Sequence, residues 1–186
     1  MAGFVARWLS DALRLILPLA LALAAMQVPA IAHGYATALL QIAEDARRDI
    51  EQRKAAARQF YRDAGISDEA VIAALRRVEP ANAQALAASV ERAGALRAAH
   101  DRIRADPPLL QPVTALLDLA EDPRGDKRAV LRTALETHVA QVILSAAAVT
   151  YGLVGLVAGS FLAELVVSLA GTLAGLGRAG THRPAR

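Results

Sequence analysis

The stretch from residue 139 to residue 163 reads VAQVILSAAAVTYGLVGLVAGSFLA, and its one ionisable group is the phenol of Tyr151. A helix of about 20 apolar residues is long enough to cross the hydrocarbon core of a bilayer, which is about 30 Å thick. A soluble chain of 186 residues could hardly bury so long a helix that is apolar on every side. This stretch therefore predicts a transmembrane helix.

A second apolar stretch, at residues 15–34, lies near the N-terminus. It contains no Lys, Arg, Asp or Glu, and Gln27 is its one amide side chain. Pro18 and Pro29 are compatible with a membrane helix, because neighbouring groups can satisfy the carbonyls that prolines leave free. Residues 15–34 are therefore predicted to form a first transmembrane helix.

The same residues also fit a secretory signal peptide. Arg7 and Arg14 precede the apolar run, and an Ala-Ile-Ala sequence that ends at Ala32 matches a cleavage site after that residue. The apolar pattern continues at helical spacing through Tyr35, which favours one uncleaved helix that leaves the membrane and continues. Cleavage would leave a single C-terminal anchor, and both alternatives export residues 35–138.

Charge is unevenly distributed along the chain, whose formal net charge is +3. Residues 33–138 hold 16 basic and 16 acidic side chains, so no nucleic-acid surface is indicated. Arginine in short flanking segments favours the cytoplasmic side of a membrane. We therefore expect a multi-pass protein of a bacterial inner membrane, with both tails in the cytoplasm and the central region in the periplasm. The tails, residues 1–14 and 178–186, contain Arg7, Arg14, Arg178, Arg183 and Arg186.

The composition indicates an all-α fold. Alanine and leucine, both strong helix formers, number 44 and 27, whereas aromatic residues make up only 4% of the chain. The absence of cysteine excludes disulfides, thiolate metal sites and a cysteine nucleophile. We predict two transmembrane helices that enclose a small helical extramembrane unit of the coiled-coil or bundle type.

The exported region shows the signals of several helices. Apolar residues recur at helical spacing, and caps, prolines and glycines separate the segments. The helix after Ser67 is predicted to bury Val71, Ile72, Leu75 and Val78. The predicted helices are one from Tyr35 to near Gly65, one capped by Ser67, residues 81–105, residues 109–120, and one from Asp126 that runs without a break into the second span.

Five small residues in the second span recur at intervals of three or four: Ala148, Gly152, Gly155, Gly159 and Ala163. This spacing places them on one face of the helix. Small side chains let helix backbones approach closely, and the last two glycines match the G-x-x-x-G spacing of packed membrane helices. We predict close helix packing on this face, against either the first span or a second copy of the chain.

Glu164 is the one carboxylate in the apolar C-terminal third. The apolar run around it, residues 139–177, would form about 58 Å of helix, about twice the thickness of a hydrocarbon core. If the span begins near residue 139, Glu164 lies at the cytoplasmic interface, and residues 164–177 lie along the membrane surface or re-enter it. If the span begins at a later residue, Glu164 lies inside the bilayer, where an ionisable group indicates a function. The interface position is favoured.

The four histidines give little indication of a metal site or of acid–base catalysis. His33 lies at the membrane boundary and His182 in the tail, so His100 and His138 are the two in the helices of the exported region. No pair has the spacing of helical metal ligands, and the sequence contains no phosphate-binding loop or nucleophile elbow. We predict no catalytic residue, no metal and no cofactor.

A resemblance to a known family rests on features spread along the chain. Met26-Gln27-Val28-Pro29 closes the first span, Tyr35 follows shortly after, and a glycine-rich second span is followed by Glu164. In these features the chain resembles a proteobacterial family of small inner-membrane proteins catalogued as a domain of unknown function. The resemblance implies the two-span topology and no activity. The apolar stretch after Glu164 and the arginine tail lie outside that pattern.

These observations favour a non-enzymatic inner-membrane protein whose periplasmic helical unit is an interaction or structural module. Its expected partners are the lipid bilayer and either further copies of itself or a larger membrane complex, and no small-molecule ligand is indicated. A first alternative is a component of transport or envelope maintenance that uses Glu164 within the membrane. A second is an envelope hydrolase that uses His100 or His138.

Overall fold

A computed structural model describes residues 2–61, 65–123, 125–136 and 145–179. Within these ranges the chain is helical and contains no strand, so the predicted all-α fold is confirmed. Two helical stretches, Arg7–Phe60 and Ala146–Thr172, are long and apolar enough to cross a membrane. The helices are α1 (Ala2–Met26), α2 (Val28–Phe60), α3 (Asp68–Val78), α4 (Pro80–Ala105), α5 (Gln111–Ala120), α6 (Asp126–Glu136) and α7 (Ala146–Ala179).

The chain forms two compact units. Residues Met1–Ala30 and Ala140–Arg186 form the first, which we call the apolar unit and which contains α1 and α7. Residues Ile31–Val139 form the second, which we call the helical unit and which contains α3 to α6 and nearly all of α2.

The helical stretch that begins near the N-terminus has one turn within the first apolar stretch. Gln27 forms a turn between α1 and α2, and its N–H donates to the carbonyl of Ala24 at 3.1 Å. Pro29 is the second residue of α2, a position where its missing N–H and fixed φ are tolerated. The helical stretch Arg7–Phe60 therefore passes through Tyr35 with a single turn at Gln27, just before this proline.

The predicted run of the helix from Asp126 into the second span passes through residues 137–144, which lie outside the described residues. Helix α6 is described as far as Glu136, and α7 begins at Ala146. Ser145 is not helical, and its hydroxyl accepts a hydrogen bond from the N–H of Ala148 at 3.1 Å. A serine that satisfies a free N–H of the first turn starts a new helix. The first residues of the predicted second span, 139–144, lie outside the described residues.

The first core of the helical unit joins four helices. Tyr35 and Leu39 of α2 are 1% and 0% exposed, and Ile103 of α4 is equally buried. Ala115 of α5 and Val130 of α6 complete the same cluster. The start of α2 is therefore the element around which α4, α5 and α6 pack.

The second core joins the later part of α2 with α3 and the first part of α4. Ser67 caps α3 as predicted, since its hydroxyl accepts from the N–H of Ala70 at 3.2 Å. Of the predicted face, Val71 and Leu75 are buried and Ile72 packs against them. Val78 is exposed instead, because it is the last residue of the helix and lies beyond its packing partners.

Candidate functional site

The small residues singled out in the second span lie on the side of α7 that faces α1. Ala148 and Ala163, at the two ends of the series, are 3% and 1% exposed. Between them, a Cβ added to Gly152 would lie 2.7 Å from Cγ of Met26. A contact this short means that a larger residue at this position would have to displace the side chain of Met26.

The closest approaches occur at the centre of this face. A Cβ added to Gly155 would lie 2.5 Å from the carbonyl oxygen of Leu21, and one added to Gly159 would lie 2.5 Å from Cα of Pro18. These distances are from side-chain positions on α7 to backbone atoms of α1, so the two helices are in backbone contact. Later residues of α7 meet earlier residues of α1, so the pair is antiparallel.

Many of the large apolar side chains of the same two helices are exposed and not packed in this contact. A soluble helix pair normally does the opposite and encloses its large apolar groups. A pair that packs through glycine and exposes leucine has the arrangement typical of membrane helices. The exposed residues include Leu15, Ile16, Leu19 and Leu23 of α1 and Leu153, Val154, Val157 and Phe161 of α7.

An ion pair between α1 and α7 lies at one end of the glycine contact. Nε of Arg14 lies 2.9 Å from Oε1 of Glu164, and Nη2 of Arg14 lies 3.1 Å from Oε2. Two parallel contacts between a guanidinium and a carboxylate fix their relative orientation. Asp11, one turn earlier in α1, lies 3.8 Å from the same guanidinium. The side chains of Arg14 and Glu164 are 44% and 63% exposed, so the pair lies on the surface of the apolar unit.

From the sequence alone, Arg14 is a topology signal and Glu164 is a lone carboxylate, so both residues stand out but their pairing is not predicted. A signal for their pairing was present, because Arg14 immediately precedes the first apolar run and Glu164 immediately follows the second. An antiparallel pair of apolar helices brings these two positions to the same end.

The other predicted topology residues are placed as follows. Arg7 is exposed on α1, and Arg178 lies within α7, which continues through residues 164–177 as one helix. Arg183, Arg186 and His182 lie outside the described residues.

In the helical unit, the buried carboxylate of Asp118, in α5, contacts side chains from three other helices. Asp118 is fully buried, and Nζ of Lys127 lies 2.6 Å from its Oδ1. The hydroxyl of Tyr35 donates to Oδ2 at 3.1 Å. Nη1 of Arg102 lies 3.6 Å from Oδ1. Because these partners come from α6, α2 and α4, Asp118 fixes where α5 packs.

The phenol of Tyr35 is a permanent donor in this cluster. Burial raises its pKa far above the usual range, and the negative charge and hydrogen bond of Asp118 raise it further. The hydroxyl therefore keeps its proton over the physiological pH range. Asp118 was not singled out from the sequence, although a lone carboxylate in so apolar a helix is a usable signal.

The histidines form no catalytic arrangement in the part of the chain that the structure describes. Nδ1 of His100 lies 2.8 Å from the carbonyl oxygen of Ala36, to which it donates. Nη1 of Arg104 lies 3.3 Å from Nδ1 of His33. His138 lies outside the described residues. No group of three metal-ligating side chains occurs within the described ranges.

A second ionic cluster links α2 to the N-terminus of α3. Nζ of Lys54, a residue 4% exposed, lies 2.7 Å from Oδ1 of Asp68. Nη1 of Arg47 lies 2.6 Å from Oδ2 of the same carboxylate. Hydrogen bonds from Arg47 and then Lys54 hold the pKa of Asp68 below its usual value. The cluster therefore links the two helices.

Comparison with known proteins gives one match. A family model described as a protein of unknown function (DUF2937) matches residues 9–175. No curated protein and no solved structure matches the chain.

Proposed function

Because this chain belongs to the DUF2937 family of proteins of unknown function, we propose its role from its own geometry. It is a non-enzymatic protein of a bacterial inner membrane, anchored by α1 and α7 as an antiparallel two-span pair. The helical unit is its periplasmic interaction or structural module, and the assembly is a homo-oligomer or part of a larger membrane complex. The observation that carries this proposal is the glycine contact between α1 and α7, with large apolar side chains directed outward.

The Arg14–Glu164 pair supports a position for the membrane boundary. A partly exposed ion pair within the hydrocarbon core would face acyl chains at a cost of several kcal/mol, whereas in the headgroup zone it faces water. The described part of α7 before Glu164 begins at Ala146 and is about 27 Å long, which matches a hydrocarbon core. We therefore place the pair at the cytoplasmic interface.

The same pairing favours a structural role for Glu164 over the transport role considered as an alternative. A carboxylate held at two points by Arg14 is less suited to bind and release a proton or ion. The hydrolase alternative receives little support from His100, because its Nδ1 already donates to a backbone carbonyl.

Topology can be tested by single-cysteine labelling, since the natural chain contains no cysteine. Gln84→Cys lies at an exposed position of α4, and Leu9→Cys lies at an exposed position of α1. In spheroplasts, an impermeant maleimide should label the variant at position 84 and should label the variant at position 9 only after the membrane is permeabilised. The reverse pattern would place the helical unit in the cytoplasm and refute the proposal.

The signal-peptide alternative is tested with an N-terminal epitope tag on the same variants. An uncleaved α1 keeps the tag on the mature protein in the membrane fraction. Loss of the tag without loss of the chain would show cleavage and leave α7 as the single anchor.

A further inference from the structure

Helix α5 turns small and polar side chains toward the protein and large apolar side chains outward, which is the reverse of a normal amphipathic helix. The side facing the protein consists of Pro112, Ala115 and Asp118, all buried. The opposite side carries four large aliphatic residues, each 48% to 67% exposed. A helix in a soluble domain buries its large aliphatic side chains. The exposed residues, which we call the aliphatic face, are Leu110, Val113, Leu116 and Leu117.

The polar side chains of α5 are all turned toward the protein. Gln111 donates to the carbonyl of Asp106 at 3.1 Å, and Thr114 donates to the carboxylate of Asp106. Asp118 is held by Lys127 and Tyr35. The aliphatic face therefore presents hydrocarbon without hydrogen-bonding side chains. Protein interfaces usually combine an apolar centre with aromatic residues, arginine and about one hydrogen bond per 100–200 Å². A surface of hydrocarbon alone fits acyl chains better.

The contacts of α5 show where this face lies within the helical unit. Asp118 bonds to Tyr35, and Ala115 shares a core with Ala32 and Tyr35. Arg104, at the end of the preceding helix, contacts His33. Residues 32–34 are the last of the first apolar stretch, and Tyr35 follows it directly. The aliphatic face is thus carried by the helix that packs where this apolar stretch ends.

We propose that the aliphatic face is a membrane-docking surface that inserts among the acyl chains next to the headgroups of the bilayer that anchors the protein. The proposal rests on the two-span anchorage proposed above. The exposed Arg104, at the end of α4, then lies near lipid phosphates, where a basic side chain is favourable, whereas Arg102 bonds to Glu121 at 3.3 Å.

The test uses the full chain with one cysteine that carries an environment-sensitive bimane, reconstituted in vesicles of phosphatidylcholine and phosphatidylglycerol. Leu116→Cys places the probe on the aliphatic face, and its exposure makes the substitution compatible with folding. Gln84→Cys is the matched control at an exposed position of α4. Leu153→Cys, exposed on α7, reports on the anchorage itself. Quenching is compared between lipids with a nitroxide on the acyl chain and iodide in the aqueous phase.

The expected result is that the nitroxide lipid quenches the probe at position 116 several-fold more than the probe at position 84, with the opposite order for iodide. If position 116 is open to iodide while position 153 is quenched by lipid, the anchorage stands and membrane docking is refuted. Protection of position 116 from both quenchers would show that protein covers the face, and this also refutes the proposal. Failure of lipid quenching at position 153 would instead overturn the anchorage.

Discussion

At the scale of single residues, the carboxylate of Asp118 is the group on which the helical unit depends most. It is fully buried and is compensated by Lys127, whose side chain is only 14% exposed. Removing one member of a buried pair leaves the other uncompensated, at a cost of about 3 kcal/mol. We expect Asp118→Asn to lower the free energy of unfolding by about that amount, measured by thermal unfolding of the purified chain in detergent.

The matched control is Asp45→Asn, which removes a carboxylate paired with Arg48 on the exposed surface. Exposed pairs contribute less than about 1 kcal/mol, so this variant should unfold close to the wild-type temperature. Equal effects of the two substitutions would show that burial of Asp118 is not what matters.

Tyr35 offers a milder change at the same cluster. Tyr35→Phe removes the hydroxyl that donates to Asp118 but leaves the contact with Lys127 in place. A single hydrogen bond contributes about 1 kcal/mol, so this variant should be less destabilised than Asp118→Asn in the same unfolding experiment. A larger loss than in Asp118→Asn would contradict the central role of the carboxylate.

The Arg14–Glu164 pair predicts a charge-swap rescue. Arg14→Glu places two carboxylates side by side and should lower stability by about 1 kcal/mol, a modest value because both groups are partly exposed to water. Adding Glu164→Arg restores opposite charges and should recover most of the loss. The readout is the thermal midpoint of the chain in detergent. No recovery in the double variant would indicate that the two side chains do not interact.

At the scale of helices, the contact between α1 and α7 depends on glycine at its centre. Gly155→Leu would drive a side chain into the backbone of α1, where a Cβ already lies 2.5 Å from the carbonyl of Leu21. Overpacking of this kind costs about 1–3 kcal/mol, so the thermal midpoint should fall. Gly171→Leu is the matched control on the same helix, because a Cβ there meets nothing within 4 Å. Similar midpoints for the two variants would rule out the glycine contact.

The junction of α2 and α3 predicts a response to acid. Asp68 has a lowered pKa in the folded chain because Arg47 and Lys54 bond to its ionised form. Its contribution to stability is therefore complete above the unfolded-state pKa, about 3.9, and is lost as the pH falls through the lower folded value. Asp68→Asn should be less stable than wild type at neutral pH, and the difference should shrink in acid. A difference that stays constant between pH 6 and pH 2 would contradict this assignment.

At the scale of the whole molecule, the features that the sequence predicts are those that depend on nearby residues. The cap at Ser67 and the shared face of Gly152, Gly155 and Gly159 follow from spacing along one helix. Asp118 could not be placed in the same way, because its burial depends on side chains that lie 9 to 83 residues away in the chain. The direction of the aliphatic face follows from that burial, so it could not be predicted from the sequence either.

The breaks in regular helix at Gln27 and Ser145 were not predicted. Apolar character runs through both residues almost without interruption, so periodicity alone indicated continuous helices. The local cues, Pro29 after the first break and the hydroxyl of Ser145 at the second, were present. Capping and proline position therefore decide helix boundaries in an apolar stretch where hydropathy does not.

The two halves of the apolar unit stand at opposite ends of the chain, and this sets an order of events during synthesis. At translation rates of about 5–20 residues per second, the roughly 120 residues between the end of α1 and the start of α7 take about 6 to 24 seconds to make. During that interval the backbone surface around Pro18 and Leu21 has no glycine partner of its own. The contact between α1 and α7 is therefore a late step of folding, which follows the synthesis of the whole helical unit.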